Sequence, residues 1–360
     1  KTLQSGDCSV SVRKVKNSRK GGGVLEGVAY MHHVTFDSNG REYVKSSTAS
    51  LLQQEKQFSS QYKILGLDEI QYDPTYVSAD EFIDAIEMAA LNHTAVKHQF
   101  LDSLENGTYG EERTIEIVAH YLMSYKHFTK DFSKYLGRCE EMCSATDPEF
   151  GEILHENLLE ENGVYDEETL DELIEMGINV TEVNGVTHKD LFDLCTQNLI
   201  HITGGVKAIP IERQKWIVSP LNKAFEDACI SQSSSTAATS IAALYFGSEL
   251  IVNTIYSKLS NYLRTVSSVI SIQDIAFFHM HMGMDIKHAQ KMREIAVAHA
   301  GDKKSRKAVA LVVDAILSAR VDVYDRMTDE IARQQNVDTD NLCNVQSENC
   351  ASAQSRISCF

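Results

Sequence analysis

The residues best suited to chemistry lie in one short run, Phe277-Phe278-His279-Met280-His281-Met282-Gly283-Met284-Asp285-Ile286-Lys287-His288. His281, Asp285 and His288 stand at i, i+4 and i+7, which aligns two imidazoles and a carboxylate on one face of a helix. Phe277, Phe278 and Met284 share that face, so the stripe reads as buried. Such groups are costly to bury unsatisfied. A divalent metal would satisfy them; a hydrogen-bonded pair of core histidines with an Asp partner is the alternative. His279 falls roughly opposite and reads as structural.

A centre inside a helical bundle takes its ligands from facing helices. In Leu154-His155-Glu156-Asn157-Leu158-Leu159-Glu160-Glu161, Glu161 follows Leu158 by three residues and Leu154 by seven, so it shares their apolar stripe. Glu160 continues the polar row of Glu152 and Glu156 and is expected in solvent. Glu152 and His155 form a Glu-x-x-His pair on that polar face, and a ferritin-type site would need two such pairs. Glu249 sits among Tyr245, Phe246, Val252 and Tyr256 at core spacing, which suits a ligand or a carboxylic acid of raised pKa. His188 opens a new helix after Gly185-Val186-Thr187 and, taken alone, reads as a capping or surface residue.

The elements that must position these residues are helical. Among 360 residues there are only four prolines, Pro74, Pro148, Pro210 and Pro220, so long tracts have nothing to interrupt a helix. Ser78-Ala79-Asp80-Glu81 is a capping box that opens a helix running to Asn106-Gly107. A second helix is expected from Gly110 through Tyr135, and a third from Asp147-Pro148 to Asn162-Gly163. Others start near His188, Arg213, Thr236, Ile272 and Lys304, the last ending near Gln334. The fold class is therefore all-α, one bundle of about seven or eight helices over residues 78–335. Residues 164–187 are acidic and poorly patterned and read as an insertion. Residues 1–77 form an N-terminal extension, loose at first, with a small hairpin over Val28–Phe36 and Arg41–Val44. Residues 336–360 read as a flexible polar tail.

Lys plus Arg is 34 and Asp plus Glu is 51, a net charge of −17. A body this acidic repels phosphate backbones and anionic lipid surfaces, which excludes nucleic acid and membranes as expected partners. No segment reads as apolar and long enough to span a bilayer, and no hydrophobic signal core opens the chain. It starts at Lys, so an N-terminal piece is expected to be missing or processed. Eight cysteines are too sparse for a disulfide framework, which points to free thiols and a cytoplasmic setting. The expected partner is a small-molecule substrate, and a homodimer is compatible with the extension.

The segments Phe100–Gly107, Tyr121–Leu136, Asn157–Glu161, His188–Phe192, Ala242–Glu249 and His281-x3-Asp285-x2-His288 together resemble the haem-oxygenase-like di-iron oxidases. The likeness spans about residues 80–300 and is nearest to the branch that includes the chlamydial death-domain-associated para-aminobenzoate synthase. Its most specific part is the final His-x3-Asp-x2-His, 32 residues after Glu249. The resemblance implies a haem-oxygenase-like bundle and a centre of two Fe(II) ions, or a manganese–iron pair, with O2 as co-substrate. Glu161, His188 and His288 would hold one ion, and Glu249, His281 and Asp285 the other. Tyr121 fits a tyrosine position of that branch and is its implied catalytic residue. Leu101 stands where a second tyrosine would be. Lys134-Tyr135 occupies the stretch where N-oxygenating members carry an extra glutamate.

The activity so implied is oxidation of an amino-acid- or fatty-acid-like substrate by desaturation, carbon–carbon cleavage or oxygenation. Tyr121, Tyr125, His127, Phe128, Tyr245 and Phe246 could line its cavity. Two alternatives differ in class. A metal-free thiaminase-type hydrolase of the same fold would need a nucleophile, for which Cys195 and Cys229 are the candidates. A non-catalytic helical interaction protein would scatter the ligand residues over solvent faces.

Overall fold

The computed structural model describes residues 63–206, 209–231, 233–266 and 270–357, with the side chains of 335–357 left aside, and a hairpin near the start. The chain divides into two units, Lys1–Ser46 and Ser47–Phe360. In the first, β1 (Val34–Phe36) pairs antiparallel with β2 (Glu42–Val44), Thr35 facing Tyr43.

The second unit is an all-α bundle. Its first half is α1 (Ala79–Asn92), α2 (Gln99–Glu105), α3 (Glu111–Thr129), α4 (Phe132–Ser144), α5 (Pro148–Glu161), α6 (Glu167–Glu175) and α7 (Val180–Val183). Its second half is α8 (His188–Ile202), α9 (Ile211–Cys229), α10 (Ala237–Leu244), α11 (Leu250–Val266), α12 (Ala276–Ala298) and α13 (Lys303–Ile357). The Ser78 capping box forms as the sequence indicates: its hydroxyl accepts from the Glu81 N–H at 3.2 Å while Glu81 accepts from the Ser78 N–H at 2.8 Å.

Four local expectations need correcting. The first helix stops at Asn92 because His93 and His98 bend the chain, their Nδ1 atoms accepting from the Ala95 and Phe100 N–H groups, each at 3.1 Å. The second breaks at Lys130-Asp131 into α3 and α4. Residues 164–187 are not patternless: α6, α7 and the link between them bury Leu173, Ile178 and Val183. The final helix continues past Gln334 to Ile357, in a stretch without Gly or Pro after Gly301.

A fifth correction concerns hydropathy. Within Ala237–Thr265 an 18-residue stretch is apolar and long enough for a span, yet 83% of that stretch is buried inside the bundle. Its apolar side chains serve the core. α12 packs against α1, α5, α8, α10 and α11, so the helix carrying His281, Asp285 and His288 faces the elements carrying Glu161, His188 and Glu249.

Candidate metal centre

Glu161 and His188 are 27 residues apart, and two glycines bring them together. Gly163 adopts φ +78°, ending α5 with its N–H on the Glu160 carbonyl and the Val164 N–H on that of Leu159. Gly185 then donates to the Gly163 carbonyl at 2.8 Å and closes the neck of the 164–187 excursion. Thr187 caps α8 by accepting from the Asp190 N–H, which fixes His188 in the first turn. Its Nδ1 lies 2.9 Å from Glu161 Oε1. A Cβ on Gly163 would lie 2.5 Å from the Val186 carbonyl oxygen, in a backbone region that L-residues disfavour. Gly163→Ala should therefore cost about 1–3 kcal/mol and weaken metal binding, measured by denaturant unfolding and metal titration; parent-like values in both would contradict this account of the neck.

Glu249 is placed by a device the sequence does not advertise. Between α10 and α11 the helix widens to a π turn over Tyr245–Glu249. Such turns occur often at functional sites because they re-aim side chains within a helix. The Gly247 carbonyl is held from outside by Arg320 of α13, through Nε at 3.0 Å and Nη2 at 2.7 Å, while Nη1 donates to the Tyr125 hydroxyl at 2.9 Å. Gly247 is required at this approach, since a Cβ there would lie 2.7 Å from Ile316 Cγ2.

The six ligand candidates converge on two groups, Glu161–His188–His281 and Glu249–Asp285–His288, the donor atoms of each group lying within 4.8 Å of one another. Each imidazole has one nitrogen tied outward. His281 Nδ1–H donates to the Phe277 carbonyl at 2.6 Å, leaving Nε2 bare. His288 Nε2–H donates to Glu160 at 2.8 Å, leaving Nδ1 beside Glu249. His188 Nε2 meets the Tyr165 hydroxyl at 3.0 Å, a group able to accept or donate, leaving Nδ1 toward Glu161. Outward anchoring of this kind fixes tautomer and ring orientation for a metal.

The carboxylates tell the same story from the opposite side. Asp285 Oδ2 is buried without a hydrogen-bond partner and Glu249 Oε2 has only the long 3.5 Å ion pair with His288 Nδ1, an expense that a bound cation would relieve. Burial, and the neighbouring Glu249, push the Asp285 carboxyl well above the usual carboxylate range. Burial and the field of His188 pull His281 down to about 3, so its ring is neutral and available. Burial opposes charge on His288, but the Glu160 and Glu249 carboxylates overcome it and raise the ring to about 10. Burial likewise opposes charge on Glu161, and His188 keeps that carboxyl below its ordinary value. This donor set, nitrogen and oxygen in two adjacent triplets, fits a pair of divalent transition ions.

All six ligand residues named from the sequence are thus gathered, though in a different partition, with His281 joining Glu161 and His188 while His288 joins Glu249 and Asp285. Glu160 is not solvated; it anchors His288, and its side chain is 18% exposed against 15% for Glu161. Tyr125 and Phe128 line the small space at the centre, together with Tyr256 and Phe277. Tyr121 does not line it. It stacks behind Tyr125 at 5.2 Å and touches Tyr324. Tyr245 and Phe246 are core. Cys195 and Cys229 are buried, burial pushing both thiols up, Cys229 to about 12, and neither lines the cavity, so a metal-free nucleophile finds no support there. Nothing in the sequence marks Tyr165, Tyr256, Glu160 or Arg320 as part of the site.

No protein-family model matches the chain, and a comparison with curated proteins gives no match. Among solved structures, a cadd-like protein of unknown function from Nostoc punctiforme is similar to it, at 16% identity and a TM-score of 0.48, over 68% of this chain and 95% of that one.

Proposed function

We propose that this protein is a haem-oxygenase-like non-haem di-iron oxidase that uses O2 to oxidise a small organic substrate. The reading is carried by the paired triplets of ligand atoms, in which one nitrogen of each imidazole is tied outward and two buried carboxylate oxygens lack a hydrogen-bond partner. Glu161, His188 and His281 would hold one ion, and Glu249, Asp285 and His288 the other.

A pair of iron ions so held supplies O2 reduction and a strong oxidant for an otherwise inert substrate bond. The chain does the rest. The Phe277 carbonyl, the Tyr165 hydroxyl and Glu160 hold the three rings in ligating orientation. His288, held protonated near neutrality by the Glu160 and Glu249 carboxylates, would have to give up a proton to bind a cation, and burial beside Glu249 pushes the Asp285 carboxyl well above its usual range, so affinity should rise with pH. Phe128, Tyr256 and Phe277 wall the centre and keep water from the reacting atoms.

The chain loaded anaerobically with Fe(II) should consume O2 on mixing, followed with an oxygen electrode, and Glu161→Ala should not. Iron bound without any O2 uptake would contradict an oxidase.

A further inference from the structure

The space at the centre is small, about 30 Å³, room for ions and a water or two, so the bulk of an organic substrate would have to lie outside it. Next to it lies a roomier pocket of about 270 Å³. Thr129 and Lys189 line both, so the two share a wall. Four lysines line the outer pocket, Lys126, Lys130, Lys189 and Lys215, against a single carboxylate, Asp193. In a chain of net charge −17 that concentration of cations runs against the composition.

Two features separate these lysines from ordinary surface charge. Their carboxylate contacts are loose, 3.9 Å to Asp193, 4.0 Å to Asp131, 3.8 Å to Asp190 and 3.7 Å to Glu212, with side chains 40–53% exposed. Lysines elsewhere on the bundle close tighter pairs, such as Lys291 with Glu156 at 2.7 Å and Lys307 with Glu69 at 2.9 Å. Helix dipoles do not account for the group either. They favour Lys126 and Lys130 at the end of α3 but disfavour Lys189, the second residue of α8. His127 is pulled down by burial and then by the fields of Lys130, Lys126 and Lys215, offset partly by its Gln214 hydrogen bond, which agrees with a positive potential over the pocket.

We propose that this pocket is the mooring for the anionic head of a small amphipathic substrate, whose apolar body points past Thr129 toward Phe128 and Phe132 at the centre. Lys126, Lys130, Lys189 and Lys215 are then specificity-determining residues, selecting organic anions over neutral molecules of the same shape. Attraction by an electropositive mouth also raises the rate of encounter, and does so less at high salt. Anion binding stands by itself; only its role as the substrate's mooring rests on the proposed oxidase.

The test is calorimetric titration of the metal-free full chain with octanoate, octyl phosphate and octanol at low and at physiological salt. Octanoate or octyl phosphate should bind at least about tenfold more tightly than octanol, with the margin shrinking at the higher salt. Whichever anion binds more tightly identifies the head group, and either order supports the proposal. Lys189→Gln/Lys215→Gln should weaken anion binding on the order of tenfold without moving the thermal midpoint, and Lys126→Glu/Lys130→Glu, on a different element, should weaken it further. Octanol binding as tightly as the anions, parent-like anion binding in both variants, or no binding of either anion would overturn it. Retained anion selectivity in a chain that takes up no iron would count against the oxidase alone.

Discussion

Asp285→Leu should make the metal-free chain more stable, by about 1–2 kcal/mol, while abolishing the stabilisation that added Fe(II) gives the parent. Asp285 is 1% exposed, its Oδ2 is unpartnered, and it stands beside Glu249. A leucine of similar bulk removes that burden without opening a cavity. In the parent, a metal present at a hundredfold excess over its dissociation constant adds about 2.7 kcal/mol, and the variant should show none of it. Differential scanning calorimetry with and without Fe(II), under anaerobic conditions, reads both effects. A metal-free variant less stable than the parent would mean that Asp285 is a satisfied structural partner of the core histidines.

Arg320→Met should do the reverse, costing about 3 kcal/mol or more. Arg320 is 1% exposed and joins α13 to the π turn and to α3 through three hydrogen bonds. Without it the Gly247 carbonyl loses both of those donors in a buried place, and the turn that aims Glu249 can relax toward regular helix. Denaturant unfolding should show the loss, and metal titration should show the Glu249–Asp285–His288 group weakened more than the other. A variant that keeps both stability and full loading would show that Arg320 does not set the π turn.

Five of the six candidate ligands were legible because each obeys a local rule. His281, Asp285 and His288 lie on one helical face and Glu161 and Glu249 interrupt apolar stripes, whereas His188 taken alone reads as a cap and was marked only by the family resemblance. What was not legible depends on distant partners. The π turn at Tyr245–Glu249 is held by Arg320, 73 residues further on. Glu160 defeats the face argument because it sits in the last turn of α5, where both neighbouring carboxylates reach the centre, one to His288 and one to His188. The break between α3 and α4 and the histidine bends after Asn92 are tertiary outcomes within sequences that suit a continuous helix. The long final helix has the opposite character: its polar composition suggested looseness, while the lack of Gly and Pro allowed it to continue.

In the proposed centre, six side chains from four places in the fold hold two metal ions. Anaerobic loading with Fe(II) followed by metal analysis tests it most directly, on the parent and on a His281→Ala/Glu249→Ala variant that removes one ligand from each group. The account predicts close to two irons per chain in the parent and a loss of tight binding in the variant. A parent that binds no metal tightly, or a variant that still carries the full complement, would contradict it.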